Sequence, residues 1–166
     1  MSSLAGSFLV ARPTLQDASF RQTVILLLQH TDEGAFGLVV NRQAQVDGAP
    51  FPLFSGGPCS APGLFMLHGH EEWAETEEAE GVQIAPGIYL GDPTCAERVA
   101  DAADMNDLRF RMFTGYAGWG PDQLEWELSA GAWLVVDASA ELLFETPAEL
   151  LWDRLSPPSI PQFSVN

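Results

Sequence analysis

Three histidines, two cysteines, seven arginines and 23 acidic residues are the groups in this chain with the widest chemical reach. Their spacing decides what they can do together. His68-Gly69-His70 has the most metal-ligand character. On a strand, residues two apart share a face, so both imidazoles could reach one ion, with Cys59, Glu71 or Glu72 nearby to complete the set. The spacing matches no standard zinc motif and leaves the third ligand unspecified, so a satisfied or exposed histidine pair is the simpler reading and no metal is expected. Isolated His30 reads as a turn residue at a hairpin rim, hydrogen-bonded to its neighbours. A serine hydrolase needs Gly-x-Ser-x-Gly at a strand-to-helix elbow, and Ser55-Gly56-Gly57 does not match it. The Gly-x-Gly-x-x-Gly spacing of a dinucleotide fold is also missing. All seven bases are arginines, and the lack of lysine excludes a Schiff base, a pyridoxal phosphate anchor and a P-loop lysine. These residues name no catalytic group and no cofactor.

The segment Phe113-Thr114-Gly115-Tyr116-Ala117-Gly118-Trp119-Gly120 is the best candidate for contact with a ligand. Glycines let the backbone approach a ligand closely, and free N–H groups at a helix start attract anions. Tyr116 and Trp119 could stack on a planar group. The alternative is a tight connection whose aromatics plug the core, and Pro121 removes one donor. Asn41-Arg42 and Gly56-Gly57 end other predicted strands, where sites tend to be built. Asn41, Arg42, Gly56, Gly57, Tyr116 and Trp119 are therefore expected to converge, and Gln123 and Glu125 at the next helix start complete the candidate ligand-binding set. Two functions fit. One is a non-enzymatic binding or regulatory module. The other is an unrecognised enzyme on a small anionic substrate, with Arg42 as anchor and His30 or Glu125 as proton carrier.

The elements that must position these residues are legible in part. Phe8 to Ala11 reads as a first strand. Thr23 to Gln29 is apolar and β-branched without alternation, as in a strand buried on both faces. A short Gly-containing loop at Thr31 to Gly34 then leads into Ala35 to Asn41, which predicts a β-hairpin. Leu53 to Gly57 and Gly63 to His68 flank a Gly-Gly-Pro-Cys turn. The acidic segment Glu71 to Glu80 reads as a solvated loop, and Val82 to Leu90 as extended chain broken at Pro86-Gly87. Thr94-Cys95-Ala96-Glu97 has capping-box spacing. Gly120-Pro121-Asp122-Gln123 predicts a helix with proline at its first position and a core face of Leu124 and Leu128. Ala132 to Val136 reads as a strand. Thr146-Pro147-Ala148-Glu149 starts a last helix that buries Leu150, Leu151 and Leu155. These elements give one α+β domain over residues 1–156 and a Pro-rich extended tail over 157–166.

The 166-residue length fits one domain, and 46% apolar residues can build its core. The formal net charge of −16 reads as a solubility device, or as adaptation to salt, before it reads as a docking face for a basic partner. Arg98, Arg109 and Arg111 form the only basic cluster, diluted by Glu97, Asp101, Asp104 and Asp107. No helix-turn-helix or zinc-finger spacing accompanies it, so direct nucleic-acid binding is not expected. The expected partners are a small anionic ligand or another protein. Cys59 and Cys95 are expected to be reduced and unbridged. The N-terminus lacks a basic n-region and the longest strongly apolar run, Val24 to Leu28, cannot span a bilayer. The chain is therefore expected in the cytoplasm, away from membranes.

Several blocks in order resemble the YqgE/AlgH family of bacterial proteins, over nearly the whole chain. They are Phe8-Leu9-Val10-Ala11, Pro13-Thr14-Leu15-Gln16-Asp17, Phe20, Thr23-Val24, His30 and Gly34-Ala35-Phe36-Gly37-Leu38-Val39-Val40-Asn41-Arg42. Further along come Gly56-Gly57-Pro58, Leu67-His68, Gly115-Tyr116-Ala117-Gly118-Trp119, Gln123-Leu124-Glu125, Glu127, Ala132-Trp133-Leu134, Thr146-Pro147 and Trp152. Gln43 stands where the family usually has proline, Asp122 where it usually has glycine, and the stretch from Arg42 to Gly56 looks shorter than in many relatives. The resemblance implies a small closed β-barrel with a branching sheet, surrounded by helices. It implies no established activity or cofactor. One branch of the family is described as regulating alginate synthesis genes, and its members are often described as transcriptional regulators.

Overall fold

The computed structural model describes residues 3–15, 17–44, 51–74, 82–91 and 108–156. Their elements run, in chain order, β1 (Ser7–Ala11), β2 (Val24–Thr31), β3 (Gly34–Val39), β4 (Gln43–Ala44), β5 (Leu53–Ser55), β6 (Phe65–His68), α1 (Glu71–Ala74), β7 (Val82–Ala85), β8 (Ile88–Gly91), β9 (Phe110–Thr114), β10 (Ala117–Trp119), α2 (Gln123–Ser129), β11 (Trp133–Asp137), α3 (Ala140–Glu145) and α4 (Ala148–Leu155).

The strands form two sheets. The first has the order β10-β3-β2-β1-β11 and the second β4-β5-β9-β6-β8-β7. The β2–β3 hairpin forms as expected, with Leu26 opposite Leu38 and Ile25 opposite Val39. Val24 to Leu28 is buried throughout. This strand lies at the centre of the first sheet, with its side chains entering two separate apolar clusters. Phe8, Val10, Val24 and Leu26 join Phe113 and Leu151 in one cluster. Leu9, Ile25 and Leu27 join Trp119, Leu124 and Trp133 on the opposite face. Alternating side chains that are apolar on both faces leave no polar stripe to read, which explains the unbroken hydrophobic run.

The architecture is mixed α and β, but the closed barrel does not form. Among the described residues each sheet keeps two edges, β10 and β11 in the first, β4 and β7 in the second. The chain between β10 and β11 coils into α2, which packs against β3 and β11 instead of supplying a strand that joins the edges. The sheets are connected through β9, which pairs with β5 and β6 in the second sheet and leads by Gly115 into β10 in the first.

Other expectations change in detail. Residues 115–120 do not form a loop, because Ala117 to Trp119 pair with β3. The helix that follows starts two residues later than proline-first geometry predicts. Asp122 caps it in the left-handed region, at φ 64°, and Pro121 stays in the preceding turn. Helix α3 is not among the elements expected from the sequence; its start is capped by Ser139, whose hydroxyl accepts the Leu142 N–H. The acidic segment opens with α1, which buries Trp73. Helix α4 buries Leu151, but Leu150 is 45% exposed. The helix expected after Thr94 and the tail 157–166 lie outside the described residues.

Candidate functional site

The residues expected to converge divide into two groups. Asn41 and Arg42 follow β3 and face the turn at residues 17–22. That turn is built locally: Asp17 Oδ1 accepts the Ser19 N–H at 2.8 Å, and the Asp17 carbonyl accepts the Arg21 N–H at 2.8 Å. Asn41 extends the strand pairing by side chain. Its Oδ1 accepts the Val24 N–H and its Nδ2 donates to the Gln22 carbonyl, both at 2.9 Å. Arg42 donates from Nη1 to the Ser19 carbonyl and from Nη2 to the Arg21 carbonyl at 2.9 Å. Burial, then the charge of Arg21, pulls the Arg42 guanidinium below its ordinary pKa, while Asp17 opposes them. The group stays cationic at neutral pH.

Arg42 forms part of the wall of two clefts. The smaller, about 120 Å³, is lined by Ser19, Val39, Arg42, Ser55, Gly57 and Pro58. The larger, about 320 Å³, brings Arg21, Gln22, Asn41 and Arg42 opposite Glu149, Trp152 and Asp153 of α4. Among the described residues neither Arg21 nor Arg42 has a carboxylate within ion-pair distance.

Gly56 and Gly57 have a backbone task. A β-carbon on Gly56 would lie 2.4 Å from the Gly115 carbonyl oxygen, and one on Gly57 would lie 2.3 Å from the Tyr116 carbonyl. The two strands can approach this closely only because no side chain intervenes. Gly57 also has φ 151°. The contact is fastened by the Cys59–Tyr116 bridge, with N–H to O distances of 2.9 and 3.0 Å.

Tyr116 and Trp119 do not frame one ligand. Tyr116 packs edge-on against Phe36 and Phe65, beside the first apolar cluster. Trp119 lies in the second cluster, on the other face of the sheet. There the Phe20 ring stacks on Trp119 with centroids 6.3 Å apart and meets Trp133 edge-on at 6.0 Å. Both indole N–H groups donate to Glu127 Oε1, Trp119 at 3.0 Å and Trp133 at 2.8 Å. Gln123 Nε2 donates to Glu127 Oε2 at 3.2 Å, and Gln123 Oε1 accepts the Gly120 N–H at 3.0 Å. Glu127 thus organises this end of the sheet. Its position four residues after Gln123, on one helix face, was the available signal. Phe20 links the two groups, since the Arg21 carbonyl beside it holds Arg42.

His30 is not a locally bonded turn residue. It sits on β2, and its Nδ1 accepts the Leu4 N–H at 3.0 Å. That contact fixes the proton on Nε2, which donates to Glu125 Oε2 at 2.7 Å. The His30 side chain is 2% exposed and that of Glu125 31%. The His30 bond, followed by a backbone hydrogen bond, holds the Glu125 carboxyl below its usual pKa, and desolvation opposes them. The pair tethers residue 4 and α2 to the central hairpin.

His68 and His70 stack with centroids 6.3 Å apart, but their geometry serves the backbone. His68 Nδ1 accepts the His70 N–H at 3.1 Å and His70 Nε2 accepts the Arg109 N–H at 2.9 Å. Those lone pairs are occupied, and no three His, Cys, Asp or Glu side chains gather among the described residues. Cys59 carries a free thiol. Cys95 and Arg98 lie outside the described residues. No helix of the described residues is long and apolar enough to cross a membrane.

Residues 8–157 match the family model described as AlgH-like. A UPF0301 protein of Myxococcus xanthus is 34% identical, over 92% of this chain and 89% of its own length. UPF0301 protein SCO2948 of Streptomyces coelicolor is 36% identical, over 92% of this chain and 84% of its own. The solution structure of the AlgH protein from Pseudomonas aeruginosa superposes with a TM-score of 0.69 at 28% identity, covering 88% of this chain and 83% of that one. The crystal structure of DIP2367 from Corynebacterium diphtheriae shares the fold with a TM-score of 0.75 at 21% identity, over 100% of this chain and 93% of that one. The AlgH-like match across nearly all of the sequence, the blocks that carry it and the agreement in fold lead to one assignment: this chain belongs to the AlgH-like family of UPF0301 proteins.

Proposed function

We propose that this protein is a non-enzymatic binding module that takes a small anionic ligand at Arg42 and acts through a protein partner, without direct contact to DNA. One observation carries the reading. Arg42 is a part-buried guanidinium in the wall of two clefts, with no carboxylate partner among the described residues, in a chain of 23 acids and 7 bases. Where acids outnumber bases so heavily, a cation left without one marks a place for an anion from outside. Among its described residues the smaller cleft has no acid in its wall, and it offers Ser19 and Ser55 beside Arg42. The larger cleft would take the rest of the ligand. Glu149 and Asp153 on its far wall favour a molecule with a neutral or cationic end.

The charge distribution supports action away from DNA. Phosphate contacts need cations, and Arg109 is bridged to Glu145 at 3.0 Å while Arg111 is fixed on the Phe110 and Phe144 carbonyls beside aromatic rings. The enzyme reading retains His30 and Glu125 as its proton carriers. They are bonded to each other, and His30 has both ring nitrogens occupied. The test is a thermal-shift screen of inorganic phosphate, citrate and other small anions against the wild type and Ser55→Asp. The variant introduces a carboxylate that would occupy Arg42. Anions should stabilise the wild type and have no effect on the variant. Equal stabilisation of both, or chemical turnover of a stabilising compound, would rule the reading out.

A further inference from the structure

A second arginine stands in a different setting. Arg111 lies on β9, where Phe110 and Met112 enter one apolar cluster and Phe113 another. Its guanidinium is carried toward Phe54 and Phe144, 5.7 and 6.0 Å from their ring centroids. Nη1 donates to the Phe110 carbonyl and Nη2 to the Phe144 carbonyl, both at 2.9 Å. These bonds fix the planar group without neutralising it, and no described carboxylate pairs with it. A guanidinium presents five N–H donors, so donors remain after the two carbonyls are served.

Beside it opens a cleft of about 380 Å³ whose walls include Pro52, Phe54, Leu108, Phe110 and Phe144. Among the described residues of its wall Arg111 is the only charged one, and the exposed Gln43 the only uncharged polar side chain. The volume falls within the range of small-molecule sites, about 300–1,000 Å³. Aromatic walls with one fixed fork of donors are the arrangement that recognises a flat apolar body ending in a carboxylate. We infer that this cleft is a binding site for small aromatic carboxylates, separate from the Arg42 clefts, with Arg111 holding the carboxylate and Phe54, Phe110 and Phe144 the ring.

The experiment uses benzoate as probe, with benzamide as its neutral counterpart, followed by amide NMR on the full chain. Benzoate should produce saturable shifts centred on Phe110, Arg111 and Phe144, and benzamide should bind at least about tenfold more weakly, as expected for loss of charge-assisted hydrogen bonds. Arg111→Gln should reduce benzoate binding by at least the same factor. Gln43→Glu, at an exposed position, places a negative charge beside the cleft and should weaken benzoate but not benzamide, which keeps the test decisive if the arginine variant fails to fold. Equal affinity for the two probes, shifts confined to residues 19–22 and 41–42, or indifference to Gln43→Glu would overturn the inference.

Discussion

Glu127 is the residue on which the second apolar cluster turns, because one carboxylate receives two indole N–H groups and a side-chain amide. Replacing it with alanine leaves Trp119 and Trp133 without an acceptor where both rings are buried. Glu127→Ala should lower unfolding free energy by about 1–3 kcal/mol, measured by urea denaturation followed by tryptophan fluorescence. A loss below the error of that measurement would contradict the role given to Glu127. At Glu125 the consequence is a pH dependence. Its folded pKa lies below the ordinary 4.5, so its contribution to stability is complete above the unfolded value and is lost as pH falls through the folded one. The urea midpoint of the wild type should therefore exceed that of Glu125→Gln near neutral pH, and the gap should narrow as the solution is acidified below about pH 4. A gap that is constant with pH would show that the His30 bond does not discriminate between the charged and neutral carboxyl. The sequence marked Arg42, Gln123 and Glu125 as polar groups near strand and helix ends. It gave no means of knowing that Tyr116 and Trp119 lie on opposite sheet faces, because that follows from residues 117–119 pairing as a strand.

At the scale of elements, strands and capped helices were legible wherever a local pattern reported them. The hairpin showed its uninterrupted apolar run, and α4 its Thr-Pro-Ala-Glu start. Helix α3 is six residues long and leans on tertiary packing by Leu143 and Phe144, so its pattern is too short to stand out. That the sheets stay open, against the closed barrel the resemblance implied, was not legible at all, since edge pairing depends on which distant strands meet. The glycines divide in the same way. Gly56→Ala forces a β-carbon onto the Gly115 carbonyl and should cost about 1–3 kcal/mol or more. Gly118 has ordinary contacts of 3.5 Å and beyond and no positive φ. Gly118→Ala should stay within about 1 kcal/mol of wild type. Paired thermal denaturation of the two variants checks this, and similar losses in both would refute the close crossing at Gly56.

Over the whole molecule, the net charge of −16 sets the background against which each unpaired arginine has to be understood. The charge was plain from composition. The placement of Arg42 and Arg111, partly buried and without an ion-pair partner among the described residues, required the fold, because carbonyls distant in sequence, those of Ser19, Arg21 and Phe144, help to hold them. The same charge predicts that mixed genomic DNA fragments will not bind saturably at submicromolar protein in physiological salt, a result readable by fluorescence anisotropy. Saturable binding weakened by added salt would reverse that expectation. The central claim is the anion site at Arg42, and its most direct measurement is an amide NMR titration of the full chain with inorganic phosphate and with citrate. The account predicts saturable shifts concentrated at residues 19–22, 41–42 and 55–57, abolished in Ser55→Asp. Shifts that are absent, spread evenly over the surface, or retained in that variant would contradict it.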